Sequence, residues 1–195
     1  AAERAQHGVA IAVAKIAASS CFVAAAVVWG ALGSDLGRWI ALGLALSWLG
    51  DALLIPRGRE LWLRLGIGAF GLGHVAYAIA FVRAGIDLRV ASLALVGVAV
   101  AGALLLRWLG PHLARELRWP VRVYVLVIAA MVVTARAAVA RDVPWVAALG
   151  AVGFAVSDVS VARDRFVAAS FANALWGLPL YFGSQLLLAY GASVA

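Results

Sequence analysis

Seven apolar stretches of about 20 residues, separated by short charged loops, decide the class of this chain before any single residue is weighed. They run roughly over 9–31, 37–55, 61–82, 88–107, 121–140, 143–162 and 167–190. A helix rises about 1.5 Å per residue, so each is long enough to cross hydrocarbon. Hydrophobic residues make up 66% of the chain and charged residues only 13%, where a soluble domain carries about 25% charged residues. Mean hydropathy is +1.02. The short alternating segments of a β-barrel are missing. The expected fold is all-α: one polytopic transmembrane bundle of about seven helices, a single domain over 1–195.

The breaks carry loop chemistry. GSDLGR, PRGRE, RAGID, GPHLARELRWP, ARDVP and RDR hold most of the charge, several with Gly or Pro. Most of the eight Trp fall near span ends, as an interfacial belt requires. Cys21 is alone, which excludes a disulfide framework and a cysteine zinc site. No signal peptide is expected, because the residues before Val9 are polar and the stretch from Val9 is long enough to span. The net charge of +7 comes from scattered basic residues, a pattern of topology rather than of nucleic-acid binding. Only Arg38, Arg83, Arg89, Arg136 and Arg141 fall on one side; the other basic residues gather on the opposite side. The positive-inside rule then puts the N-terminus in the cytoplasm and the C-terminus outside. An Ala- and Arg-rich composition with one Lys points to a bacterial cytoplasmic membrane.

Two acids break the apolar pattern. Asp51 lies in SWLGDALLI and Asp158 in GFAVSDVSVA. A carboxylate inside a span costs about 3 kcal/mol or more unless it is paired, protonated or wetted. Each aspartate is four residues short of its expected helix end, and both helices run inward. The pair therefore arrives at one depth beneath the cytoplasmic interface. Lys15, Tyr124 and Asn173 fall at similar depth. On the seventh helix Asn173, Gly177, Tyr181 and Gln185 recur every four residues and line one face, with Pro179 among them. On the third, His74 and Tyr77 share a face, and His74 is expected near the midplane, deeper than the aspartates. The glycines of GIGAFGLGH are expected to allow close helix contact.

At these residues a resemblance becomes specific. LGDALLIPRGRELWLRLGIGAFGLGHVAYAIAF holds a Gly-Asp pair, a short basic loop, then Phe-x-x-x-His-x-x-Tyr. RWPVRVY, GAVGFAVSDVSVARDRF and the Tyr-x-x-x-Gln of YFGSQLL follow in order. The chain is similar to the YhhN-like lysoplasmalogenase family of integral membrane proteins from about Lys15 to Gln185. Family members usually carry a further helix before the Lys, and a Pro after it where Ile16 stands here; an eight-helix pattern becomes seven.

The resemblance implies hydrolysis of the sn-1 vinyl ether bond of lysoplasmalogens, giving a fatty aldehyde and a glycerophospho-headgroup. Asp51 and Asp158 would be catalytic. Lys15, His74, Tyr77, Tyr124, Asn173, Tyr181 and Gln185 would bind substrate, and Arg57, Arg59, Arg118, Arg163 or Arg165 could meet the phosphate. No cofactor or metal is expected. The partners are the bilayer and a lysophospholipid, not nucleic acid. The chemistry fits two acids: one protonates the vinyl carbon β to the ether oxygen, and the other, ionised, faces the oxocarbenium ion or orients water.

Rival readings are weaker. A zinc hydrolase needs several His, and His74 is the only one inside a span. A retinal protein needs a Lys in its last helix, but Lys15 is the only Lys in the chain. A proton-coupled transporter would stagger its acids across the membrane and show repeat symmetry, and neither is evident.

Overall fold

The structure, a computed structural model, describes residues 2–56 and 60–195, with side chains from Val9 onward. Arg57 and Arg59, expected as phosphate contacts, lie outside the described residues.

Seven long helices follow in chain order: α1 (Ala2–Val28), α2 (Asp35–Leu53), α3 (Glu60–Ala84), α4 (Leu88–Leu109), α5 (Arg118–Val139), α6 (Trp145–Ala162) and α7 (Phe171–Ser193). No strand occurs among the described residues. The apolar runs and the helices coincide to within a few residues, except at α1, which starts in the polar segment before Val9. Among the described residues, five helices are long and apolar enough to cross a membrane. The other two, α2 and α7, are 19 and 23 residues long but carry the polar residues that lower their hydropathy. Asp35 and Arg38 in the first turns of α2 are exposed, but the polar residues deeper in the two helices are turned inward. Ser47 and Asp51 on α2 are buried, and so are Asn173, Tyr181, Ser184 and Gln185 on α7. The two least apolar helices are thus sheltered by their neighbours rather than excluded from the bundle.

Local chemistry explains the ends. Ser34 caps α2, its hydroxyl accepting from the Gly37 N–H at 3.0 Å. Gly85, at φ 101, closes α3 in the left-handed region that a side chain disfavours. Asp87 caps α4 by accepting from Arg89 N (2.9 Å) and Val90 N (3.0 Å). The Val90 N–H foremost, then the Arg89 N–H and the nearby Arg141 charge, hold the Asp87 carboxyl below its usual range. Pro120 sits in the first turn of α5, where no intrahelical N–H is lost. Pro179 lies inside α7, which continues on both sides of it.

The most extensive pairings are α6 with α7 and α2 with α3. Small residues make both possible. A Cβ on Gly73 would sit 3.2 Å from the Gly43 carbonyl oxygen of α2, and one on Gly150 would sit 2.8 Å from the Ser184 carbonyl oxygen of α7. At the other extreme α4 touches mainly α5 and exposes Leu88, Leu93, Val96, Val100 and Leu104. A bare apolar face of this kind suits lipid, and the chain is a multi-pass membrane protein. The core gathers Phe22, Ile40, Leu44, Phe70, Tyr77, Phe81, Met131, Phe154 and Leu188.

Candidate active site

Each aspartate closes its own hydrogen-bonded cluster. Asp51 is held between three helices. Its Oδ1 lies 3.0 Å from Lys15 Nζ of α1. Its Oδ2 accepts from the Tyr181 hydroxyl of α7 at 2.9 Å and from the Ser19 hydroxyl of α1. Only 2% of the Asp51 side chain is exposed, against 24% for Lys15.

Asp158 is held by α3 and α5. His74 Nε2 lies 2.9 Å from Asp158 Oδ2, and the Tyr124 hydroxyl donates to the same oxygen at 3.0 Å. Tyr124 also lies 3.3 Å from His74 Nε2, which closes a triangle. The second ring nitrogen of His74, Nδ1, faces the Met131 sulfur at 3.3 Å. His74 is fully buried, whereas 15% of the Asp158 side chain is exposed.

Phe154 stands between the two clusters. Its ring centroid is 4.3 Å from that of His74 and 5.4 Å from that of Tyr181. Phe70 packs edge-on against both Phe154 and Tyr181. Among the described residues the carboxylates share no hydrogen-bond partner. They meet through this aromatic wall.

The remaining expected residues go to different places. The Tyr77 hydroxyl donates to Gln185 Oε1 at 2.7 Å, deep in the core, while Gln185 Nε2 and Ser47 Oγ find no partner among the described residues. Asn173 joins neither aspartate cluster. Its Oδ1 accepts from Arg163 at 2.6 Å, and its Nδ2 donates to Asp164 (3.0 Å) and to the Ala168 carbonyl (2.8 Å). It clasps the α6–α7 turn, where both amide hydrogens and the carbonyl are engaged. Arg163 is drawn into the same clasp. Arg118 and Arg122 line a cavity of about 360 Å³ at the α4–α5 turn with Leu106, Gly110, Pro111 and Leu113.

One expectation is corrected. His74 is level with Asp158, which it bonds directly, rather than deeper. It does lie deeper than Asp51: Gly73 packs on Gly43 and Ser47 of α2, whereas Gly50, beside Asp51, packs on Phe70. The charged Arg163-Asp164-Arg165 looked like the end of the sixth helix, but the chain stays helical through a π turn over Arg163–Val167. Asp158 is therefore further from its helix end than the charge pattern indicates.

The YhhN family model matches residues 10–192, which takes in every residue of both clusters. The chain belongs to the YhhN family. Proteins named lysoplasmalogenase from Mycobacterium bovis and Mycobacterium tuberculosis are each 35% identical over 179 residues, covering 90% of this chain and 67% of theirs. A Bos taurus protein named lysoplasmalogenase TMEM86A is 31% identical over 160 residues, covering 78% of this chain and 64% of its own. No solved structure matches.

Within this YhhN chain, sequence reasoning missed several residues of the clusters. Ser19 follows Lys15 by four residues and Phe154 precedes Asp158 by four, so helical spacing alone would have put each on the right face. Met131 gave no signal beyond being the single methionine.

Proposed function

We propose that this chain hydrolyses the sn-1 vinyl ether bond of lysoplasmalogens, releasing a fatty aldehyde and a glycerophospho-headgroup. The observation that carries the reading is its 35% identity, over 90% of its length, to proteins named lysoplasmalogenase. The clusters support it. A vinyl ether opens when the carbon β to its oxygen is protonated, which calls for an acid in a poorly solvated, aromatic-lined site. Asp158 with His74 and Tyr124, beside Phe154, supplies one. The N-terminus is cytoplasmic in this reading, the membrane is the bacterial cytoplasmic one, and the chain works as one bundle. Arg118 and Arg122 then face the headgroup layer.

The test is specificity between three lysophospholipids with one tail and one headgroup. Purified protein in detergent should release aldehyde from the 1-alkenyl lipid. It should leave the saturated 1-alkyl ether intact, because that bond has no π carbon to protonate. Release of fatty acid from the 1-acyl lipid, with no aldehyde from the alkenyl one, would make it an esterase instead.

A further inference from the structure

The two carboxylates differ in what faces them. Asp51 has an ammonium on one oxygen and two hydroxyl groups on the other, and almost none of it is exposed. The Lys15 ammonium at 3.0 Å suits the ionised form of Asp51, and the Tyr181 hydroxyl donates to it. Asp158 gathers both of its partners on Oδ2. Among the described residues nothing bonds Oδ1, and the side chain is partly open. The ring facing Asp158 is fully buried and offers its second nitrogen only a thioether, a weak acceptor. An imidazolium buried there would leave an N–H without a strong acceptor, so the arrangement suits a neutral ring with its hydrogen on Nε2. The groups packed on Asp158 are then a neutral imidazole and a phenol.

Resting on the lysoplasmalogenase reading, we propose that Asp158 is the general acid, delivering its proton from Oδ1, and that Asp51 with Lys15 is a fixed ion pair that positions Tyr181. The Asp158 O–H bond breaks and its proton goes to the vinyl carbon β to the ether oxygen. The π pair forms the new C–H bond, and an ether lone pair completes the oxocarbenium ion. Asp158 is left as a carboxylate, with Tyr124 and His74 donating to Oδ2. Water adds to the oxocarbenium carbon and passes a proton back to Asp158. The hemiacetal then loses its glycerol oxygen, which takes up the hemiacetal hydroxyl proton as the aldehyde forms. His74 and Tyr124 are positioning residues, since they act through Asp158.

The experiment is the pH profile of kcat and KM for aldehyde release from an alkenyl lysophospholipid, from about pH 5 to about pH 9, on variants that remain monodisperse in detergent. An essential acid makes kcat fall on the alkaline side. Asp158→Asn should lose about a thousandfold in kcat, with Asp158→Glu recovering about tenfold or more of that loss. The double variant Lys15→Gln/Asp51→Asn should keep more than about a hundredth of wild-type kcat and the same alkaline fall. His74→Gln, which exchanges one neutral donor for another, should also keep that fall. The assignment is overturned if the fall disappears in the Lys15→Gln/Asp51→Asn variant, or if it disappears in His74→Gln. It is equally overturned if Asp158→Asn turns over within about tenfold of wild type. Should Asp158→Asn not fold, the Asp158→Glu profile decides: its alkaline fall must move, because the acid itself has changed. A wild type that releases no aldehyde fails the underlying reading and not the division of roles.

Discussion

Lys15 Nζ and Asp51 Oδ1 lie 3.0 Å apart and join α1 to α2 inside an apolar bundle. The only lysine of the chain is spent on one of its two intramembrane carboxylates. Removing one partner strands the other. Lys15→Met should therefore lower stability by about 3 kcal/mol, because Asp51 is left buried without its counter-charge. Lys15→Met/Asp51→Leu should recover more than half of the loss. Thermal unfolding in detergent reads both, and equal losses in the single and double variants would show that the ion pair is not what matters.

Tyr77 and Gln185 make the same argument for a neutral pair. Tyr77→Phe removes the hydroxyl donated to Gln185 Oε1 and leaves the buried amide without that bond. The expected cost is about 1–3 kcal/mol. Tyr77→Phe/Gln185→Leu removes both polar groups and should cost less than Tyr77→Phe alone. A midpoint for the double variant below that of the single one would contradict this.

The helix seams should be sensitive to one added methyl group. A Cβ on Gly191 would meet Ala147 N at 2.8 Å, and one on Gly150 would meet Leu188 N at 2.9 Å, both backbone atoms that cannot swing away. A Cβ on Gly68 would meet nothing within 4 Å. Gly150→Ala and Gly191→Ala should each lower the unfolding midpoint. Gly68→Ala should hold or raise it, because alanine favours helix over glycine by about 1 kcal/mol. The order of the three midpoints is the check.

Asp87 gives a pH dependence of known sign. Its folded carboxyl is held below the ordinary range by the first N–H groups of α4, so its contribution is present above the unfolded value of about 4. It is lost as pH falls through the depressed folded value. The midpoint difference between wild type and Asp87→Ala should be constant near neutrality and shrink in acid. A difference that grows as pH falls would reverse the assignment.

The helices were legible because hydrocarbon allows few alternatives: a run of about 20 apolar residues must satisfy its own backbone. The two aspartates were legible for the same reason, since charge there is costly. Pairings across the bundle were not. Helical spacing put Tyr181 and Gln185 on one face of α7, but could not say that one would reach Asp51 and the other Tyr77. Asp158 was placed too near its helix end because Arg163 and Asp164 imitate a loop. In the fold Asn173 hydrogen-bonds both of them, and helix continues through them. Asn173 itself belongs to a helical stripe by sequence and to a turn clasp by contact.

The central claim is that proton transfer from an acid to carbon begins the reaction. Hydrolysis of an alkenyl lysophospholipid in D2O tests it, with the aldehyde trapped as it forms and analysed by mass spectrometry and NMR. The account predicts a single deuterium on the carbon next to the aldehyde carbonyl, delivered by the exchanged acid. Aldehyde released without deuterium at that carbon would contradict it.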